Sequence, residues 1–301
     1  MTSPSCATSF SEYLERKATV WILFDNLDKG WSTQGVDEID ATVLRCLIDA
    51  GRKIEREMRK ADRSLHCIVF VRNDVYEHIM RRSSDFGKEM RASLDWTEPD
   101  LLREMLRLRI VSGLDSKAKN VDFDQLWPTF CVSHYHGEET SGYLIERSLM
   151  RPRNILKIFN HCRGFATNFR HVKIDEEDIE KGLRTYSNDL LVELDHELTD
   201  VFPLARGLLY HFLDANVVMS DGALRALIKS AGVEEPNVRR IIEFLIYYGV
   251  LGLRTEENDL YIYQVNYNPK MIEARAQRAS EKAFYVINPA FWPALNIKPI
   301  A

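Results

Sequence analysis

Residues 20–31 read VWILFDNLDKGW. Five apolar residues, Val20 to Phe24, run without interruption into Asp25; Asp28 follows three residues later, with Gly30 and Trp31 behind it. The run is short and rich in β-favouring side chains. Being apolar at successive positions, it predicts a central strand of a parallel sheet covered on both faces. A carboxylate at the carboxyl end of such a strand sits at the crevice where open α/β sheets bind ligands. Mg²⁺ takes hard oxygen ligands and keeps several waters, so one carboxylate, Asp25, suffices to hold it directly or through water. Asp28 is then placed to polarise an attacking water. An acidic turn closing a buried strand describes Asp25 equally well when it is taken alone.

Working outward, residues 39–60 have a helical pattern, with Ile39, Val43, Leu47, Ile54 and Met58 as the apolar stripe. Residues 65–71, LHCIVFV, predict a second buried strand that ends in Arg72, Asn73 and Asp74. Two strands joined by a long helix make a right-handed βαβ unit. Arg72 or Asn73 at that strand end suits the sensing of a γ-phosphate; Arg72 paired with an acid at the sheet edge is the plainer alternative. Thr97-Glu98-Pro99-Asp100 reads as a helix start, with Thr97 as cap. A further helix opens at Arg151-Pro152-Arg153, with a stripe of Ile155, Phe159, Cys162 and Ala166 widened by Leu156 and Ile158. The amino end of a helix carries partial positive charge, and two arginines there suit a phosphate. Surface arginines flanking a helix start are the alternative. Residues 175–188 and 190–198 predict two more helices.

The pattern of 201–265 is helix (201–213), helix (221–228), helix (236–248), then strands at 250–254 and 260–265 across the turn TEEND. Three helices and a hairpin describe a winged helix, whose third helix is the one that enters a DNA groove in DNA-binding members. Arg225, Lys229, Arg239 and Arg240 are its candidate DNA contacts. Duplex binding rests on phosphate neutralisation, yet residues 199–268 hold six basic against nine acidic residues, and the wing turn is itself acidic. A packing or regulatory role therefore fits this module better than DNA contact. The aromatic-rich end, with Phe284, Tyr285, Phe291 and Trp292, is expected to dock on the body or on a partner.

The whole chain has 301 residues, 45% of them hydrophobic, with 40 basic and 45 acidic residues. That is length for about two domains. A net charge of −5 excludes a globally basic nucleic-acid coat and an acidic disordered tail. No apolar run reaches the roughly 18–20 residues of a membrane helix. MTSPSCATSF has neither a basic start nor an apolar run, so no secretion leader is expected. Five scattered cysteines without a C-x-x-C predict reduced thiols in a cytoplasm. Cys131, His134 and His136 form a C-x-x-H-x-H series with no fourth zinc ligand at standard spacing, which reads as unrelated polar residues in a loop.

The order FDNLDKGW, VFVRNDVYEHI, LDWTEPDLLREMLRLRI, RPRNILKIFNHC, YSNDLLVELDHEL and a winged helix resembles the C-terminal two-thirds of a bacterial family of P-loop ATPases in the STAND/AAA+-like lineage. The resemblance covers roughly residues 18–265. It implies a partial α/β P-loop core over 1–110, a helical lid over 111–198, a winged helix over 199–268 and a tail over 269–301. It implies an ATP-dependent molecular switch with ATP and Mg²⁺ as ligands and phosphoanhydride hydrolysis as the reaction. Asp25 would be the Walker B acid and Mg²⁺ ligand, Asp28 the catalytic acid, and Arg72 the sensor-1 position. Arg151 or Arg153 would be the sensor-2-like arginine. The family has Ser or Thr where Asn73 stands. No G-x-x-x-x-G-K-[ST] occurs, so the backbone cradle and lysine of a P-loop are lacking. The chain therefore resembles a member without its P-loop half, catalytically incomplete alone. The expected partners are ATP, a P-loop-bearing half or partner protein, and a second copy of the chain. A non-catalytic regulatory module and a winged-helix DNA-binding protein are the alternative readings.

Overall fold

The computed structural model describes residues 17–27, 38–71, 76, 92, 94–114, 121–256, 258–279 and 284–298. The chain divides into two compact units, Met1–Ala92 and Ser93–Ala301, and is mixed α/β. The break falls at 92/93 rather than at the expected 110/111.

In the first unit, β1 (Thr19–Phe24) pairs in parallel with β2 (Ser64–Val69), from Thr19 opposite Ser64 to Phe24 opposite Val69. Helix α1 (Glu38–Lys60) crosses between them, with Glu38 and Asp40 at its positive end and Arg59 and Lys60 at its negative end. The βαβ unit is as the sequence predicts; its burial is not. Side chains alternate across a sheet, and Val20, Ile22 and Phe24 with Leu65, Cys67 and Val69 form the face that α1 covers. The opposite face carries Trp21, Leu23, Ile68 and Phe70, which are 57, 58, 37 and 44% exposed. Trp21 stacks on the neighbouring His66 ring at 4.3 Å. The helix stripe is corrected as well. Ile39, Val43 and Ile54 are exposed, whereas Ala41, Leu44 and Gly51 are buried. Small side chains let the helix approach: a Cβ on Gly51 would lie 3.3 Å from Cys67 Cβ, and Glu55 Oε1 accepts the Cys67 N–H at 2.5 Å.

The second unit is built around one continuous apolar core. Helix α2 (Pro99–Val111) buries Leu102 and Leu106; its cap residue is Glu98 rather than Thr97, and Glu98 makes no side-chain capping bond. Helix α3 (Phe123–Phe130) and a two-residue hairpin, β3 (His134–Tyr135) with β4 (Glu138–Glu139), lead to α4 (Thr140–Arg147). Helices α5 (Pro152–Phe169) and α6 (Glu176–Val201) form the central pair. The two helices predicted over 175–198 are one, because no Gly or Pro interrupts them near Asn188; Asn188 is exposed, and Asp189 lies 3.1 Å from His161 Nε2. The predicted helix 201–213 is instead two short 3₁₀ turns, Pro203–Ala205 and Leu208–Phe212. Pro203 cannot donate to the previous turn, and Gly207 adopts φ +78° between them.

Strand β5 (Val218–Ser220) precedes α7 (Asp221–Ser230) and α8 (Glu235–Tyr247), which Ser220 and a proline in the first turn respectively help to start. Strands β6 (Leu251–Arg254) and β7 (Asp259–Leu260) form the expected hairpin, but β7 stops after two residues and turns into a 3₁₀ segment, Ile262–Val265. Helix α9 (Pro269–Ala279) follows. Strand β8 (Phe284–Ile287) then inserts antiparallel between β5 and β6, giving the order β5-β8-β6-β7. Helix α10 (Trp292–Leu295) docks on α6, where the Ala294 N–H donates to Ser187 Oγ at 3.0 Å. The aromatic tail thus folds back onto its own chain.

Candidate functional site

Asp25 follows directly on β1. Its carboxylate is exposed, Oδ1 accepts the Asn26 N–H at 2.8 Å, and Asn26 turns the chain with φ +57°. Pairing persists to the strand ends, where the Phe70 N–H donates to Phe24 O at 2.9 Å. The carboxyl ends of the two parallel strands therefore lie side by side, with Asp25 on one of them. Asp28, Arg72 and Asn73 lie outside the described residues. A shallow groove lined by Leu27, Asp40, Val43, Leu44 and Leu47 runs between the Asp25 turn and α1.

Arg151 and Arg153 belong to the second unit. Arg151 is the cap residue of α5, in extended backbone, with Pro152 as the first helical residue. Leu149 and Met150 before it are buried and both left-handed, at φ +55° and +53°. Such a conformation costs a non-glycine residue roughly 1–2 kcal/mol. Packing of these two side chains holds that bend, and the bend directs the chain into the helix start. Arg151 is half-buried and Arg153 exposed, and among the described residues neither forms an ion pair. Behind them, Asn154 is buried with its side chain against the Tyr186 hydroxyl. The Tyr186 hydroxyl is buried there too: burial pushes its phenol far up, and the Arg151 charge pulls the other way. Two unpaired guanidinium groups over the amino end of an 18-residue helix form a potential of one sign, suited to an anion.

The four candidate DNA contacts have these neighbours. Arg225 pairs with Asp221 at 2.6 Å, Lys229 pairs with Glu235, and Arg239 pairs with Glu243 at 2.9 Å and with Glu273. Arg240 lies 5.2 Å over the Phe202 ring. Arg254, at the hairpin, is held by Asp259. Neighbouring carboxylates thus neutralise three of the four candidates.

Cys131, His134 and His136 are not brought together. Cys131 is buried, and burial raises its thiol to about 12; His134 and His136 are exposed in the hairpin beyond it. A different group, unforeseen in the sequence, does gather: His171, Asp175 and Asp178 at the start of α6. Its sequence signal is a histidine four residues ahead of an Asp-x-x-Asp capping box.

Residues 100–195, which run from α2 to within α6, match the FunZ-associated C-terminal helical domain. Across 96% of its length the chain is 21% identical to the putative transposon gamma-delta 80.3 kDa protein of Escherichia coli (strain K12). It spans 41% of that relative's length. No solved structure matches. The chain is thus similar in its helical middle to a FunZ-associated domain and, over nearly all its length, to part of a longer transposon protein.

Proposed function

We propose that this chain is the rear part of an ATP-dependent molecular switch, a P-loop ATPase whose phosphate-cradling segment is supplied by another stretch of polypeptide. In this reading β1 and β2 are the Walker B and sensor-1 strands of a partial P-loop core. Residues 111–198 form the lid and 199–268 a winged helix, with β8 as an added strand of its sheet. The observation that carries the reading is the parallel β1–β2 pair, with a free carboxylate, Asp25, at its carboxyl end and a bare apolar second face. A parallel sheet is ordinarily covered on both faces, and Trp21, Leu23, Ile68 and Phe70 mark where a further layer would lie.

The residues present fit nucleotide and Mg²⁺. Asp25 has no cationic partner among the described residues and is open to a hard cation. Arg151 and Arg153 are open to phosphate oxygens. Asp28, Arg72 and Asn73 would complete the set. When bound, ATP would supply the phosphoanhydride to be cleaved and Asp25 would hold its cation; Arg151 and Arg153 are proposed, within the second unit alone, as an anion site. The relative's greater length leaves room for a P-loop segment outside the aligned region. The purified chain is expected to show no steady ATP turnover. Co-expression with a segment carrying G-x-x-x-x-G-K-[ST], encoded next to it, should give turnover that Asp25→Asn abolishes. Turnover by the chain alone, or none from the pair, refutes the proposal.

DNA binding is the second reading, favoured by the relative's description as a transposon protein. It calls for salt-dependent duplex binding that is lost in Arg239→Glu/Arg240→Glu.

A further inference from the structure

At the turn between α5 and α6, His171 Nδ1 lies 2.9 Å from Asp178 Oδ2 and 3.1 Å from Asp175 Oδ2. The three ligand atoms all fall within 4.8 Å of one another. The two carboxylates divide their work. Asp175 Oδ1 accepts the Asp178 N–H at 3.0 Å as the helix cap, which leaves Oδ2 turned to the imidazole. Asp178 Oδ2 accepts the Asp175 N–H at 3.1 Å from the other side of the capping box. The second oxygen of Asp178 is unaccounted for: the residue is fully buried, and Oδ1 has no hydrogen-bond partner. A buried, unpartnered carboxylate oxygen is costly, and capping does not explain it. It belongs to the same carboxylate whose Oδ2 faces His171, so the costly buried group is itself a member of the three-ligand cluster.

We propose that His171, Asp175 and Asp178 form a divalent transition-metal site that takes Zn²⁺. One imidazole and two carboxylates make a borderline donor set of the kind Zn²⁺ accepts. His171 and Asp175 have 30% and 40% of their side chains exposed, so water completes the coordination from the open side. The ion would tie the turn after α5 to the first turn of α6, within the stretch similar to the FunZ-associated helical domain. It uses none of the residues proposed for nucleotide and does not depend on that reading.

The test titrates the full chain, freed of metal by chelator, with Zn²⁺, and with Co²⁺ as a spectroscopic stand-in. One equivalent should bind saturably, raise the thermal midpoint and give the visible bands of tetrahedral Co²⁺ with nitrogen and oxygen ligands. Two variants separate ligation from folding. Asp175→Ser keeps a capping oxygen while removing a ligand, and His171→Gln removes the imidazole. Each should weaken binding by about ten-fold or more with an unchanged far-ultraviolet circular dichroism spectrum. Absence of saturable binding, unchanged affinity in either variant relative to the unsubstituted chain, or a thiolate-to-cobalt charge-transfer band would overturn the assignment.

Discussion

Gly182 shows what a single missing side chain permits. A Cβ there would fall 2.5 Å from Cys162 Sγ and 2.8 and 2.9 Å from the Cys162 backbone N and Cα. The α5–α6 crossing is therefore set by backbone against backbone. Gly182→Ala is expected to destabilise the second unit by about 1–3 kcal/mol through overpacking, read as a lower urea midpoint. Glu139 is the second informative position. Burial pushes its carboxyl up, but the Gly142 N–H, the Ser141 hydroxyl and N–H, and the Arg103 guanidinium outweigh that and leave it below the usual carboxylate range. A carboxylate lowered in the fold adds stability above its unfolded pKa and loses it as pH falls through the folded one. Glu139→Ala should thus cost roughly 1 kcal/mol at neutral pH. It should also flatten the acid limb of a stability-versus-pH curve; an unchanged limb would show that the cap is not ionised.

Element α6 was written in the sequence as two helices and folds as one of 26 residues. Asn188 and Asp189 have weak helix preference, yet neither breaks the hydrogen-bond ladder as proline would. Asn188→Pro should cost about 3 kcal/mol or more and remove helical circular dichroism. Strand β1 teaches the opposite lesson. Its extended conformation was legible in VWILF, but a run apolar at every position cannot say which face is covered. On the bare face, Leu23→Lys with Ile68→Glu should change the stability of the isolated chain by no more than about 0.5 kcal/mol. If a P-loop-bearing segment covers that face, the same pair should abolish its co-purification; retained co-purification would place the partner elsewhere.

For the whole second unit, the tail is structural. β8 supplies the strand between β5 and β6, and Ser187 on α6 accepts a hydrogen bond from α10. A chain ended after residue 279 should lose cooperative unfolding in this unit, because Tyr285, Val286, Ile287 and Phe291 leave the core together. Charge at this scale was already legible. Six basic residues stand against nine acidic ones over 199–268, and the pairing of Arg225, Lys229 and Arg239 with carboxylates is how that balance is realised.

The sequence by itself determined the βαβ order, the carboxylate after β1, the arginine–proline start of α5, and the positions of α7 and α8. Each is local: a run of apolar residues, a proline in a first turn, a serine cap. Only the tertiary structure decided that β1 has one bare face, that the tail enters the sheet, and that His171 meets Asp175 and Asp178. Those outcomes depend on which surfaces meet: small residues at Gly51 and Gly182 let helices close on their neighbours, and left-handed turns at Leu149, Met150 and Arg170 swing α5 and its following turn into place. Hydrophobic periodicity carries no record of such long-range contacts, because it reports that a residue is apolar and not what it is buried against.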